Sequence, residues 1–187
     1  MRGFGRFMIA TLCGLVLAAG VHIISILAMP YLAEDDAFAK VQPTLTAEKA
    51  QIISAPGGAN TWMPRPDPAV AVAACAFDLR NGPMRISAQT GPNLLSLSFH
   101  RESGGVFFAV TDRAAVRGEL EIVAMTARQL DEARAAEDEN EPSRDVRIVA
   151  PEQQGFLIVR VAAPTPSQRP QAEEAVKAVS CITEQAE

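Results

Sequence analysis

The stretch Asp67 to Ala88 reads DPAVAVAACAFDLRNGPMRISA, and the fold turns on it. Ala71, Ala73, Cys75, Phe77 and Leu79 recur at every second position. Residues spaced by two share one face of a β-strand, so the stretch opens with a strand whose apolar face carries Cys75 into a core. Asn81-Gly82 follows, a pair in which both residues tolerate positive φ, and it predicts a hairpin. The return strand places Met84, Ile86 and Ala88 on one face and Arg85, Ser87 and Gln89 on the other.

Working toward the C-terminus, the same alternation recurs. Leu95, Leu97 and Phe99 alternate with Ser96, Ser98 and His100. Ser103-Gly104-Gly105 then turns the chain into Val106–Thr111, where Val106, Phe108 and Val110 alternate with Phe107 and Ala109. Leu120, Ile122 and Ala124 mark another strand over 119–125. Thr126-Ala127-Arg128-Gln129 fits a capping box, in which Thr accepts from the first turn and Gln reaches back. A helix is expected from there to about Asp138. Its tail, Glu137 to Glu141, is acidic, which disfavours the negative end of a helix dipole and predicts fraying. Asp145–Ala150 and Gly155–Val161 are expected to form a second hairpin, joined by residues 151–154. Pro170 to Cys181 is expected to close the chain as a helix with an apolar stripe of Ala172, Ala175, Val176 and Val179.

Working toward the N-terminus, residues 34–66 form an expected juxtamembrane linker. Phe38 and Val41 suit a short helix, and Pro43, Pro56-Gly57-Gly58, Pro64 and Pro66 break anything longer. Trp62, the single tryptophan, docks either on the body or at a membrane surface. Ahead of the linker lies Phe7 to Ala33, free of charge, with Arg2 and Arg6 before it and Glu34, Asp35 and Asp36 after it. A helix needs about 20 apolar residues to cross a bilayer. Cytoplasmic flanks carry the excess of Lys and Arg, so the expected topology is single-pass in the inner (cytoplasmic) membrane, N-terminus inside, with the C-terminal domain periplasmic. A retained anchor suits the length of the run, and Tyr31 suits its outer interface. A cleaved signal peptide is the rival reading, with a shorter apolar region of about 7–15 residues.

The expected divisions are therefore 1–33 for the cytoplasmic end and anchor, 34–66 for the linker, and 67–187 for an exported domain. The expected fold class is α+β: one transmembrane helix, then a mainly antiparallel, sandwich-like β domain with a late helix and a C-terminal helix. Ala10, Gly14, Ala18 and His22 recur every fourth residue and share one helix face. Small residues at that spacing let a second helix approach closely; the plainer reading of His22 is a neutral side chain hydrogen-bonded locally in the outer half of the helix. The partners implied are the membrane itself and another membrane or periplasmic protein met through this face.

Cys13 lies in the apolar span, while Cys75 and Cys181 lie in the expected exported part, where an oxidising compartment lets them pair; two separate buried thiols are the alternative. The closing helix sets Cys181 off the centre of its stripe, so pairing requires the last turn to bend or unwind.

Seventeen basic residues face 22 acidic ones, for a formal net charge of −5. Two of the basic ones, Arg2 and Arg6, precede the span, so the exported part is more acidic still. Nucleic-acid binding, which needs a basic footprint, is excluded. His100 is the one histidine beyond the span, and it is expected on the polar face of its strand. No Cys-x-x-Cys pair or His-Glu-x-x-His helix supports zinc, and no glycine motif supports a nucleotide. No cofactor or metal is expected. Asp78, Glu102 and Asp112 sit near strand ends, and Asp112-Arg113 is expected to form a structural ion pair. The acidic 137–141 run admits a cation only as a minor alternative to a solvated surface.

Four segments, Cys75-Ala76-Phe77-Asp78-Leu79, Gly82-Pro83-Met84-Arg85-Ile86, Leu95-Ser96-Leu97-Ser98-Phe99 and Asp112-Arg113, carry a resemblance. The chain resembles the short, membrane-anchored type of the bacterial domain of unknown function 1254 family. The resemblance implies one N-terminal membrane helix, a β-rich exported domain and no catalytic residues to transfer. It also implies candidate partners among a companion family, domain of unknown function 1214. The expected function is a non-enzymatic envelope interaction module. The alternatives are a small-ligand-binding sandwich with a pocket lined by Phe107, Phe108 or Trp62, and a carboxylate-dependent hydrolase.

Overall fold

The computed structural model describes residues 2–32, 36–54, 63, 65–136 and 145–184. The chain divides into two units, Met1–Asp36 and Ala37–Glu187. In the first, α1 (Arg2–Leu32) is one continuous helix. Its segment Gly3–Met29 is long and apolar enough to cross a membrane, and none of it is buried against the rest of the chain. Phe7, Leu12, Leu17, Ile24 and Leu27 stand exposed. A membrane anchor and a signal sequence both meet that description.

The second unit holds α2 (Ala37–Val41), β1 (Gln51–Ile52), β2 (Val70–Asp78), β3 (Met84–Gln89), β4 (Leu95–Arg101), β5 (Val106–Thr111) and β6 (Glu119–Met125). It continues with α3 (Ala127–Ala136), β7 (Val146–Val149), β8 (Gln154–Ala162), α4 (Arg169–Lys177) and β9 (Ser180–Thr183). Among the described residues, five strands form one sheet in the order β1-β2-β8-β4-β5, and four form another in the order β7-β6-β3-β9. The pairing is antiparallel except between β6 and β7, which α3 links as a parallel crossover. The expected α+β, two-sheet architecture is the one observed.

The strands read from the sequence lie where it predicts them, but β2 is buried on both faces, β5 packs Phe107 and Phe108 together on Phe99, and two expected hairpins do not form. β2 pairs with β1 and β8, whereas β3 pairs with β6 and β9 in the other sheet. Asn81-Gly82 therefore carries the chain from sheet to sheet. Only Gly82 of the two takes a positive φ, at 137°, whereas a two-residue hairpin loop of type I′ needs it at both. The faces explain the choice. β2 is apolar on both sides, with Val72, Ala74 and Ala76 buried opposite Ala73, Cys75 and Phe77, and β3 carries Arg85, Ser87 and Gln89 on one side. A strand apolar on both faces belongs in a sheet covered on both. The same argument separates β7 from β8. Phe156–Val159 is buried at every residue, and β7 leaves Val146 and Val149 exposed.

The inter-sheet core is built by Phe77, Leu97, Phe99, Leu157 and Val159 from the first sheet and Met84, Ile86, Leu120 and Ile122 from the second. Ala172 and Val176 of α4 complete it. A second cluster lies on the opposite face of β2 and β8, where Phe38, Val41 and Ile53 cover Val72, Ala74, Ala76, Phe156 and Ile158. Residues 37–54 therefore belong to the body, which begins at Ala37 and not at residue 67. They act as a strap: the apolar backs of β2 and β8 need a cover, and Phe38 and Val41 supply it.

The strap also stitches the two sheets along one side. Gln51 and Ile52 pair with Ala74 and Ala73. One to three residues earlier, Lys49 bridges Ser180 of β9. The Ala50 N–H donates to the Val179 carbonyl at 3.0 Å, and the Cys181 N–H donates to the Glu48 carbonyl at 2.8 Å.

Candidate functional site

Sheet register decides which polar groups meet on the outer face of the five-stranded sheet. β4 and β8 pair so that Ser96 faces Arg160, Ser98 faces Ile158 and His100 faces Phe156. The His100 ring lies on the Phe156 ring, with centroids 4.8 Å apart and planes 8° from parallel. His100 Nε2 and Ser98 Oγ are hydrogen-bonded at 3.1 Å. The Arg160 guanidinium donates to the same Ser98 oxygen at 3.0 Å. Burial, and next the positive charge of Arg160, hold the imidazole below its ordinary pKa. His100 is half-buried and stacked, and not the freely exposed side chain expected from its polar strand face.

A serine bonded to a neutral histidine is half of a nucleophilic site. The other half is an acid that holds the second ring nitrogen. No carboxylate bonds to His100 among the described residues; the charged group beside it is Arg160. An arginine opposes the imidazolium that a general base must become. The arrangement positions a neutral, hydrogen-bonding ring on the sheet face.

Two of the three cysteines meet. Cys75 of β2 and Cys181 of β9 form a disulfide with Cα atoms 6.6 Å apart, joining one sheet to the other. The expected closing helix ends at Lys177, and Cys181 lies on a strand instead. Ser180 to Thr183 includes two β-branched residues, Ile182 and Thr183, and pairs with β3. This frees Cys181 from the helical stripe that made the bridge awkward. The thiol of Cys13 is free and exposed on α1.

Asp112 and Arg113 do not pair with each other among the described residues. They are neighbours in a single 3₁₀ turn, and adjacent helical residues point apart. The Asp112 carboxylate accepts from the Leu95 N–H at 3.3 Å instead. The acids near strand ends do not converge. Asp78 is held by Arg80 and by Gln154, and the Arg80 hydrogen bonds keep its carboxyl below the usual range. Glu152 accepts from the Ser103 N–H and hydroxyl at 3.1 and 2.6 Å. No group of three His, Cys, Asp or Glu side chains suited to a metal occurs among the described residues. Phe107 and Phe108, expected as pocket walls, pack on Phe99 with ring centroids 6.1 and 5.9 Å away. Trp62 and the acidic run 137–141 lie outside the described residues. Ala10, Gly14, Ala18 and His22 are exposed on α1.

Arg169 is a residue that sequence reasoning missed. Its guanidinium pairs with Glu173 at 2.7 Å and donates to the carbonyls of Asp67, Pro68 and Val70. It also donates to the Ser54 carbonyl at 2.8 Å. One half-buried cation thus fastens the end of the strap and the start of β2 to α4. Nothing in the spacing of residues 54, 67–70 and 169 signals this; only folding brings them together.

No protein-family model and no curated protein matches the chain. Among solved structures, the VPA0106 protein from Vibrio parahaemolyticus is similar in fold, with a TM-score of 0.50 and 12% identity. The match covers 76% of this chain but 32% of that one, so this chain spans about a third of its neighbour's length. An uncharacterised protein from Burkholderia cenocepacia aligns at a TM-score of 0.49 and 12% identity, over 80% of this chain and 37% of that one.

Proposed function

We propose that this chain is a single-pass protein of the cytoplasmic membrane whose β-rich body works on the periplasmic side as a non-enzymatic interaction module. One observation carries the reading. Gly3–Met29 forms a helix that buries none of its apolar side chains within its own chain, and water is a poor solvent for such a surface. Arg2 and Arg6 on one flank favour an N-terminus in the cytoplasm. The Cys75–Cys181 disulfide supports an oxidising compartment for the body. Asp78, Glu152 and Arg169 are each engaged in structural contacts, which supports binding over catalysis.

Membership in the domain of unknown function 1254 family is part of the same proposal and rests on the four segments that carry the resemblance. The partner is then a second membrane or periplasmic protein, with the companion 1214 family as candidate. Ala10, Gly14, Ala18 and His22 provide a face of α1 for helix–helix contact.

Two measurements test the reading. A reporter that works only outside the cytoplasm, fused after Glu187, is active; activity solely from a cytoplasmic reporter overturns the topology. Ala18→Leu or His22→Leu diminishes co-purification of a membrane partner with the full chain, and unchanged recovery counts against the helix contact.

A further inference from the structure

The disulfide and residues 48–52 of the strap connect the same two strands, β2 and β9. Cys75 follows directly after Ala73 and Ala74, the residues to which β1 pairs. Cys181 donates its backbone N–H to Glu48, and its neighbours Val179 and Ser180 meet Ala50 and Lys49. Residues 48–52 thus span between β2 and β9, and Cys75–Sγ–Sγ–Cys181 spans between the same two strands. The covalent link and the hydrogen-bonded link form a double stitch. Both sulfurs belong to closed surroundings, since Cys75 is 0% and Cys181 5% exposed. A reductant must therefore open the seam before it can attack.

We propose that this double stitch is a redox-sensitive latch: the Cys75–Cys181 disulfide keeps residues 48–50 of the strap seated against β9, and its reduction opens that seam while the rest of the strap and the strands beyond it stay paired. The chemistry is two successive thiol–disulfide exchanges with a dithiol. A reductant thiolate attacks one sulfur and forms a mixed disulfide while the other cysteine leaves as thiolate. The reductant's second thiolate then displaces the first cysteine. Cys75 and Cys181 end as two thiols, and the reductant ends as an intramolecular disulfide. The strap follows α1 directly in sequence, so the latch acts on the segment that ties the body to the apolar helix.

The other contacts of the strap set how far release extends. Phe38 and Val41 bury on the opposite face of β2, Thr44 Oγ1 accepts from the Ala76 N–H at 2.7 Å, and Ser54 Oγ accepts from the Val72 N–H at 2.7 Å. None of these reaches β9, so the seam between residues 48–50 and 179–181 rests on the Lys49–Ser180 bridge, two backbone hydrogen bonds and the adjacent disulfide. By linkage, loosening the strap must in turn expose the disulfide.

The experiment is hydrogen–deuterium exchange on the full chain in detergent, oxidised and dithiothreitol-reduced. Reduction speeds exchange at Ala50 and Cys181, the two amides bonded across the seam, at least roughly tenfold more than at Leu97 and Val159, as for a local opening. Equal acceleration everywhere, or none, overturns the latch. The reciprocal arm uses Phe38→Ala, on the sheet face away from the sulfurs, and Ala50→Pro, which removes the donor to Val179. Both raise the rate of native-state disulfide reduction, whereas Val123→Ala, on the outer face of the other sheet, leaves it within about twofold. Should Ala50→Pro fail to fold, Phe38→Ala decides: a reduction rate like that of Val123→Ala overturns the proposal.

Discussion

β2 and β3 are consecutive strands with similar alternation, yet they end in different sheets and different surroundings. β2 is buried at every residue from Ala71 to Phe77, while β3 alternates between buried and half-exposed positions. The difference lies in the second face. Val72, Ala74 and Ala76 are apolar and require a cover, which the strap supplies through Phe38, Val41 and Ile53. Arg85 and Ser87 require polar partners, which Glu184 and Glu119 supply. An apolar phase on one side establishes that a strand exists. The chemistry of the other phase decides which sheet takes it and what must pack behind it.

The comparison can be broken in four ways. The largest effect is expected from removing the cross-link between the sheets. Cys75→Ser with Cys181→Ser releases a loop with a sequence separation of 106. That costs about 4–5 kcal/mol in the chain-entropy treatment. Urea unfolding of the full chain in detergent measures it, and a loss under ~1 kcal/mol would show that the sheets hold without the bond.

Next comes the pair that separates the two outer faces directly. Ala74→Lys forces a cation into a position with 0% exposure and is expected to cost about 3–5 kcal/mol. Gln89→Lys places the same side chain on the exposed outer edge of β3, opposite Glu119, and is expected to change stability by less than ~0.5 kcal/mol. Equal losses would mean that the strap does not seal the back of β2.

Phe38→Ala addresses the cover itself. Phe38 is 6% exposed, and truncating a buried phenyl ring costs about 3 kcal/mol. Thermal unfolding of the body reads this as a fall of about 2–4 °C per kcal/mol.

The smallest effect concerns His100. Its folded-state pKa lies below the ordinary value because of burial and the Arg160 charge. The unfolded chain therefore binds the proton more tightly, and stability present above pH ~6.5 declines as the pH falls through that value toward the folded pKa. His100→Gln should flatten this step. A profile unchanged by the substitution would remove His100 as its source. Asp78 contributes a separate decline at lower pH, through the range below 3.8, because Arg80 stabilises its ionised form.

Individual elements were more legible than their partners. The strands at 70–78, 84–89, 95–101, 106–111 and 119–125 follow from period-two alternation, and the Ser103-Gly104-Gly105 hairpin joins β4 to β5 as expected. The capping box is present: Thr126 Oγ1 accepts from the Gln129 N–H at 3.2 Å, and Gln129 Oε1 accepts from the Thr126 N–H at 2.8 Å. Turn chemistry was less reliable. Asn81-Gly82 makes a crossing between sheets, while Arg117-Gly118, between Val116 and Glu119, is a turn with positive φ at both central residues. The strap was visible only as a short amphipathic helix at Phe38 and Val41. A second clue lay in the unbroken apolar run Val70–Phe77, which marks a strand buried on both faces.

By itself the sequence determined an apolar helix, an antiparallel-rich α+β body and the two cysteines able to join it. These are properties of local periodicity and composition, which one segment at a time can express. Only the tertiary structure decided that β2 and β3 part company, that Cys181 sits on a strand and that Arg169 fastens residues 54 and 67–70. It also decided that His100 rests on Phe156 beside Arg160. Each of these depends on a contact between residues far apart in the chain. Such contacts follow from burying every apolar face at once, a condition no single segment contains.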